Sequence, residues 1–162
     1  MMDWYEQLAH LLPPKARVAV LGVGSELCGD DAAGMAVAKN LAESALPPEI
    51  TVFMGSTAPE NFTGQIKKAD PQYLLVVDAA YLDRETGAVS LVDSETIDGM
   101  GFSTHMLPLK VMFAYLRREM DVHILCLGMQ PGGTDFASPM SEAMAAAVRE
   151  VSAKLNRLFA RS

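Results

Sequence analysis

Cysteine is scarce in this 162-residue chain, with only Cys28 and Cys126. Two thiols so far apart exclude a disulfide framework and a zinc ribbon. Each lies in or beside an apolar run, where a free thiol behaves as a small hydrophobe. Basic residues are also short: 13 Lys and Arg face 20 Asp and Glu, a formal net charge of −7. Nucleic acid calls for a basic footprint, so that class of partner is excluded. No apolar run reaches the ~20 residues that cross a bilayer, so no membrane partner is expected. No basic stretch precedes an apolar one near Met1, which argues against a secretory signal. A monomer in the reducing cytoplasm is the expectation.

What is present suits a compact protein. Half of the residues are apolar and a fifth are charged, enough for one domain with a buried core. The acidic excess reads first as solubility. Trp4, Leu8, Leu11 and Leu12 share a helical face that Pro13-Pro14 terminates. Residues 1–16 are therefore expected to form an accessory helix, ahead of an α/β domain over 17–162.

From Arg17 the chain alternates. Strands are predicted over 17–24, 50–54, 73–79, 88–92 and 122–128, the fourth at an edge. Helices are predicted over 31–45, from Pro59 to about Ala69, from Leu107 to Glu119, and after Pro139. In the last, Met140, Met144, Val148, Val151, Leu155, Leu158 and Phe159 recur three or four residues apart. Tyr73 to Val77 is apolar on both faces and belongs in the sheet centre. The pattern predicts a single-domain, three-layer α/β/α fold, a twisted, mostly parallel sheet of about five strands with helices on both faces.

A dinucleotide fingerprint is missing. Gly22-Val23-Gly24 begins one, but Leu27 stands where its third glycine belongs, and no ribose-binding acid follows the second strand. Phosphate would also meet Asp30 and Asp31. The glycines are expected to serve a tight turn after the strand.

Those two aspartates sit where the first strand hands over to a helix, at the edge where open α/β sheets bind ligands. One acid is enough to cap a helix; Asp30 is the expected cap and Asp31 the expected ligand. Asp78 ends the central apolar strand at the same edge. Two carboxylates about 4 Å apart repel by about 4 kcal/mol at an effective dielectric near 20, unless a proton, a base or a metal sits between them. His105 precedes a predicted helix start, where the dipole disfavours imidazolium and keeps the ring available as a ligand. Asp31, Asp78 and His105 thus form a candidate open metal site of two oxygens and one nitrogen. Those donors accept zinc, nickel, manganese or iron alike.

Five separated segments carry a resemblance. Gly22-Val23-Gly24-Ser25-Glu26-Leu27-Cys28-Gly29-Asp30-Asp31-Ala32-Ala33-Gly34 resembles the opening motif of the nickel–iron hydrogenase maturation endopeptidases. Gly55 to Asn61, Val77-Asp78-Ala79, Ser103 to Leu109 and Leu127 to Pro131 resemble later signatures, in order, over about 17–158. The forms S-x-A-P-E-N and T-H-x-x-P-L are similar to the branch that processes the hydrogenase 3 large subunit. Ser25 stands where the family usually has Asn, and Ala32 where it often has Gly.

The resemblance implies an endopeptidase, aspartic-type or metal-assisted, that removes the C-terminal extension of the hydrogenase large-subunit precursor after nickel insertion. It puts the nickel-contacting and catalytic roles on Asp31, Asp78 and His105. Nickel then arrives with the precursor, and the free protein need hold no divalent metal. Asp30, Glu60 and Gln130 fall in family motifs as candidates for supporting or substrate contacts. The alternative is a nickel-sensing chaperone of hydrogenase assembly that does not cut.

Overall fold

The computed structural model describes residues 1–94, 101–102 and 106–161. Helix α1 spans Trp4–Leu11. Asp3 caps it: its Oδ1 accepts from Glu6 N at 2.8 Å, and Glu6 Oε2 accepts from Asp3 N at 3.0 Å. This reciprocal pairing satisfies two backbone donors at the helix start. Then follow β1 (Val18–Val23), α2 (Ala33–Ala42), β2 (Ile50–Ser56), α3 (Thr63–Ala69) and β3 (Tyr73–Tyr81). The chain continues through β4 (Val89–Asp93), β5 (Gly101–Phe102), α4 (Met106–Glu119), β6 (His123–Met129) and α5 (Glu142–Phe159).

Five strands lie side by side in the order β2-β1-β3-β6-β4. The first four are mutually parallel, and β4 runs antiparallel along the edge beside β6. The two-residue β5 pairs antiparallel with Ala80 and Tyr81 at the end of β3. The expected sheet, with an apolar central strand and an edge strand after it, is what the chain forms.

Alternation along each strand divides the core into two layers. Val18, Val20, Leu75, Val77, Leu125 and Leu127 face one side, packed with Leu8 of α1, Val37 and Leu41 of α2, and Leu155 of α5. Ala19, Leu21, Leu74, Val76, Ile124 and Cys126 face the other, packed with Ile66 of α3 and Leu109, Phe113 and Leu116 of α4. Cys126 is fully buried there as the small hydrophobe expected. Because every β-to-α connection leaves a parallel strand at its carboxyl end, the loops after β1, β3 and β6 share one edge. That edge carries the chemistry.

Candidate functional site at the carboxyl edge of the sheet

The site begins with the turn after β1. Gly24 takes φ +132°, which L side chains rarely adopt, and a Cβ there would run into the carbonyl oxygen of Asp31. The chain thus folds back on itself within seven residues. Ser25 N donates to Asp31 Oδ2 at 2.8 Å, fixing the carboxylate over the loop. Asp31 lies in a 3₁₀ turn, Gly29–Ala32, and is half-buried. Gly34 allows the next step: a Cβ there would collide with the carbonyl oxygens of Val77 and Val23. Without one, the first turn of α2 presses onto the ends of β1 and β3.

Asp78 is fully buried. Val77 pairs with Gly22 of β1, and Asp78 itself pairs with Gly128 of β6. It therefore stands between the ends of β1 and β6. Val76 and Ala80 lie in the layer under α3 and α4, and the two-residue period puts Asp78 on that same face. Asp31, in the turn after β1, and Asp78, near the carboxyl end of β3, thus lie at one edge of the sheet, one reachable from solvent and one not. The third predicted ligand, His105, precedes α4 in the sequence and lies outside the described residues. Among the described residues, no three His, Cys, Asp or Glu side chains form a group able to hold a metal ion.

Asp30 does something other than expected. Helix α2 has no side-chain cap. Asp30 is fully buried and points to the opposite loop instead. Its Oδ2 accepts from Gly132 N and Ser141 Oγ, each at 2.8 Å, while Oδ1 accepts from Ser141 N at 2.7 Å. Its own N–H donates to Gly133 O at 2.9 Å. Ser141 is the cap of α5, its hydroxyl accepting from Met144 N at 3.2 Å. Asp30 therefore ties the turn that carries Asp31 to the start of α5. Ser141 was not among the expected site residues; a serine three residues before Met144 in a periodic run is its cap signal.

Gln130 is also engaged internally. Its Oε1 accepts from Leu82 N at 2.6 Å and its Nε2 donates to Pro131 O at 3.1 Å. It braces the segment after β3 against the end of β6. Glu60 is exposed in the 3₁₀ turn Pro59–Phe62. With Thr63, Pro108, Val111, Met112 and Tyr115 it lines a groove of about 560 Å³ beside α4. At one end of that helix Lys67 Nζ donates to the Tyr115 hydroxyl at 2.7 Å and to Glu119 at 3.2 Å. The Tyr115 bond and then the Glu119 carboxylate hold the Lys67 amine above its usual pKa.

These features define an α/β protein with a carboxylate site at the strand ends. Comparison with known proteins narrows the class. The family model described as hydrogenase maturation protease, HycI, matches residues 35–157. The chain is 32% identical over 137 residues to the hydrogenase 3 maturation protease of Escherichia coli K12, covering 84% of this chain and 86% of that one. The crystal structure of a [NiFe] hydrogenase maturation protease HycI from Thermococcus kodakarensis superposes with a TM-score of 0.87 at 27% identity. That match covers 94% of this chain and 98% of the other. The solution structure of the endopeptidase HycI from Escherichia coli gives 0.75 at 29% identity over 86% and 89%.

The chain belongs to the hydrogenase maturation protease family. It is a hydrolase of hydrogenase processing, as the motifs implied.

Proposed function

We propose that this protein is the endopeptidase that removes the C-terminal extension of a nickel–iron hydrogenase large-subunit precursor once nickel has been inserted. The metal is part of the substrate. It would be recognised through Asp31, Asp78 and His105, whose two oxygens and one nitrogen suit a borderline divalent ion. The observation that supports this reading is that a solvent-reachable Asp31 and a buried Asp78 lie at the same carboxyl edge of the sheet.

A carboxylate at Asp31 can meet a cation presented by another protein. A carboxylate at Asp78 sits where charge is screened less, so it holds that cation more strongly. Where the two carboxylates approach within a few ångströms, a cation between them would relieve their repulsion, which would favour precursor that carries nickel over precursor that does not. Nickel carried by the substrate would supply Lewis-acid chemistry, polarising the scissile carbonyl or activating water. The chain's own part in hydrolysis is to position that bond and to accept the proton of the attacking water, a task for a carboxylate of the pair. The protein would do this as a cytoplasmic monomer. Among the described residues, no helix is long and apolar enough to cross a membrane.

Incubation with nickel-loaded and nickel-free precursor, followed by intact-mass measurement, tests the reading. Shortening of the loaded form alone supports it. If neither form is shortened while nickel-loaded precursor still binds, the protein is a sensor of nickel loading and not a protease.

A further inference from the structure

Two large apolar side chains stand in water beside the site. Leu27 is 64% exposed and Phe136 is 76% exposed. Leu27 lies between Gly24 and the 3₁₀ turn that carries Asp31; Phe136 lies between β6 and α5. The two loops are joined, because Ala137 N donates to Leu27 O at 2.7 Å. The buried Asp30 clasps the same loops through Gly132 and Ser141. The apolar pair is therefore held by the framework that positions Asp31, at the same edge of the sheet.

Exposed apolar groups on a fixed framework, rimmed by polar residues, mark contact surfaces for proteins. Glu26 precedes Leu27 and Asp135 precedes Phe136, and both acids are exposed. The complement of this edge is an apolar side chain among basic ones. A net charge of −7 favours the same kind of partner at longer range.

We propose that Leu27 and Phe136 form the docking edge for the hydrogenase large-subunit precursor, gripping an apolar, basic-rimmed part of its surface next to the bond to be cut. This rests on the protease reading above. These loops adjoin the turn that carries Asp31, so a folded precursor that delivers a chain segment there comes close to them. A preformed edge binds it without the cost of ordering them first. Glu26 and Asp135 would speed and orient the encounter.

Binding and cutting are measured separately. The nickel-loaded precursor is immobilised, and the Kd of wild type is compared with that of Leu27→Ser/Phe136→Ser by biolayer interferometry, with melting followed by circular dichroism. The double variant is expected to melt with wild type and bind at least about tenfold more weakly, as loss of an interface anchor does. KM for cleavage should rise with it. Phe136→Arg, which meets a basic rim with a like charge, should weaken binding equally and serves if the double variant melts early. Leu11→Ser removes another large exposed apolar residue, 40% exposed, next to Leu12, near the first residue of β1 at the opposite edge. It should bind as wild type does. Added salt should weaken wild-type binding by screening the acids. Unchanged Kd in both Leu27→Ser/Phe136→Ser and Phe136→Arg would overturn the docking edge, whether or not the precursor is cut. Binding without any cutting by wild type would overturn the protease reading alone.

Discussion

Asp30 and Ser141, 111 residues apart in the chain, meet through two hydrogen bonds that use both carboxylate oxygens: Ser141 N to Oδ1 at 2.7 Å and Ser141 Oγ to Oδ2 at 2.8 Å. The residue beside Asp31 thus works as a clasp between the first loop of the sheet and the last helix.

Asp30→Ala should therefore destabilise the protein by about 3 kcal/mol or more, because bonds to a buried charge are lost and their donors are left without acceptors. Urea unfolding measures it. A loss near 1 kcal/mol would mean that the clasp matters no more than an ordinary helix cap.

Gly24→Ala should damage both fold and activity. A side chain at φ +132° is strained, and here it also runs into the Asp31 carbonyl. A destabilisation of roughly 2 kcal/mol or more is expected from strain and overpacking together, with precursor cleavage falling further than stability explains. Cleavage at the wild-type rate would show that Asp31 does not need this turn.

Gln130→Leu keeps the bulk of the side chain but leaves Leu82 N without its acceptor. The cost should be about 1 kcal/mol, that of a lost hydrogen bond whose half-buried donor water can partly satisfy. Thermal melting checks it, and hydrogen exchange at Leu82 should rise together with the lost stability.

The Lys67 amine gives a pH signature. Its folded-state pKa is raised, first by the Tyr115 hydroxyl and then by Glu119, above the ordinary 10.5. A raised amine contributes stability that is fully present below the unfolded pKa and is lost as pH climbs through the folded one. The gap in melting temperature between wild type and Lys67→Met should be small, as for exposed pairs generally. It should hold from neutral pH to about 10.5 and close above it. A gap that widens with alkali would contradict the assignment.

Much of the fold was legible because it rests on local rules. The unbroken apolar run of β3 and the three-to-four spacing along α5 are read from neighbours in sequence, and each element formed near its expected bounds. The glycine turn after β1 was legible for the same reason. Asp78 was legible as an acid on the central strand, since only such a strand carries so long an apolar run, but β3 does not end there as expected: it continues to Tyr81, where β5 pairs with it. Asp30, expected to cap the helix that follows it, does not. Its true partners lie more than a hundred residues away, and pairing across such a separation leaves no periodic trace. Gln130 fell in a family motif, yet its amide is engaged with the backbone around Leu82, a contact set by how two loops meet. Of the predicted trio, Asp31 and Asp78 lie at one edge, and His105 lies outside the described residues.

The most direct measurement is intact-mass analysis of nickel-loaded precursor after incubation with wild type, Asp31→Ala, Asp78→Ala and His105→Ala, each first shown by circular dichroism to be folded. The account predicts that wild type shortens the precursor and that each variant leaves it full length. Full cleavage by any two of the three variants would contradict it.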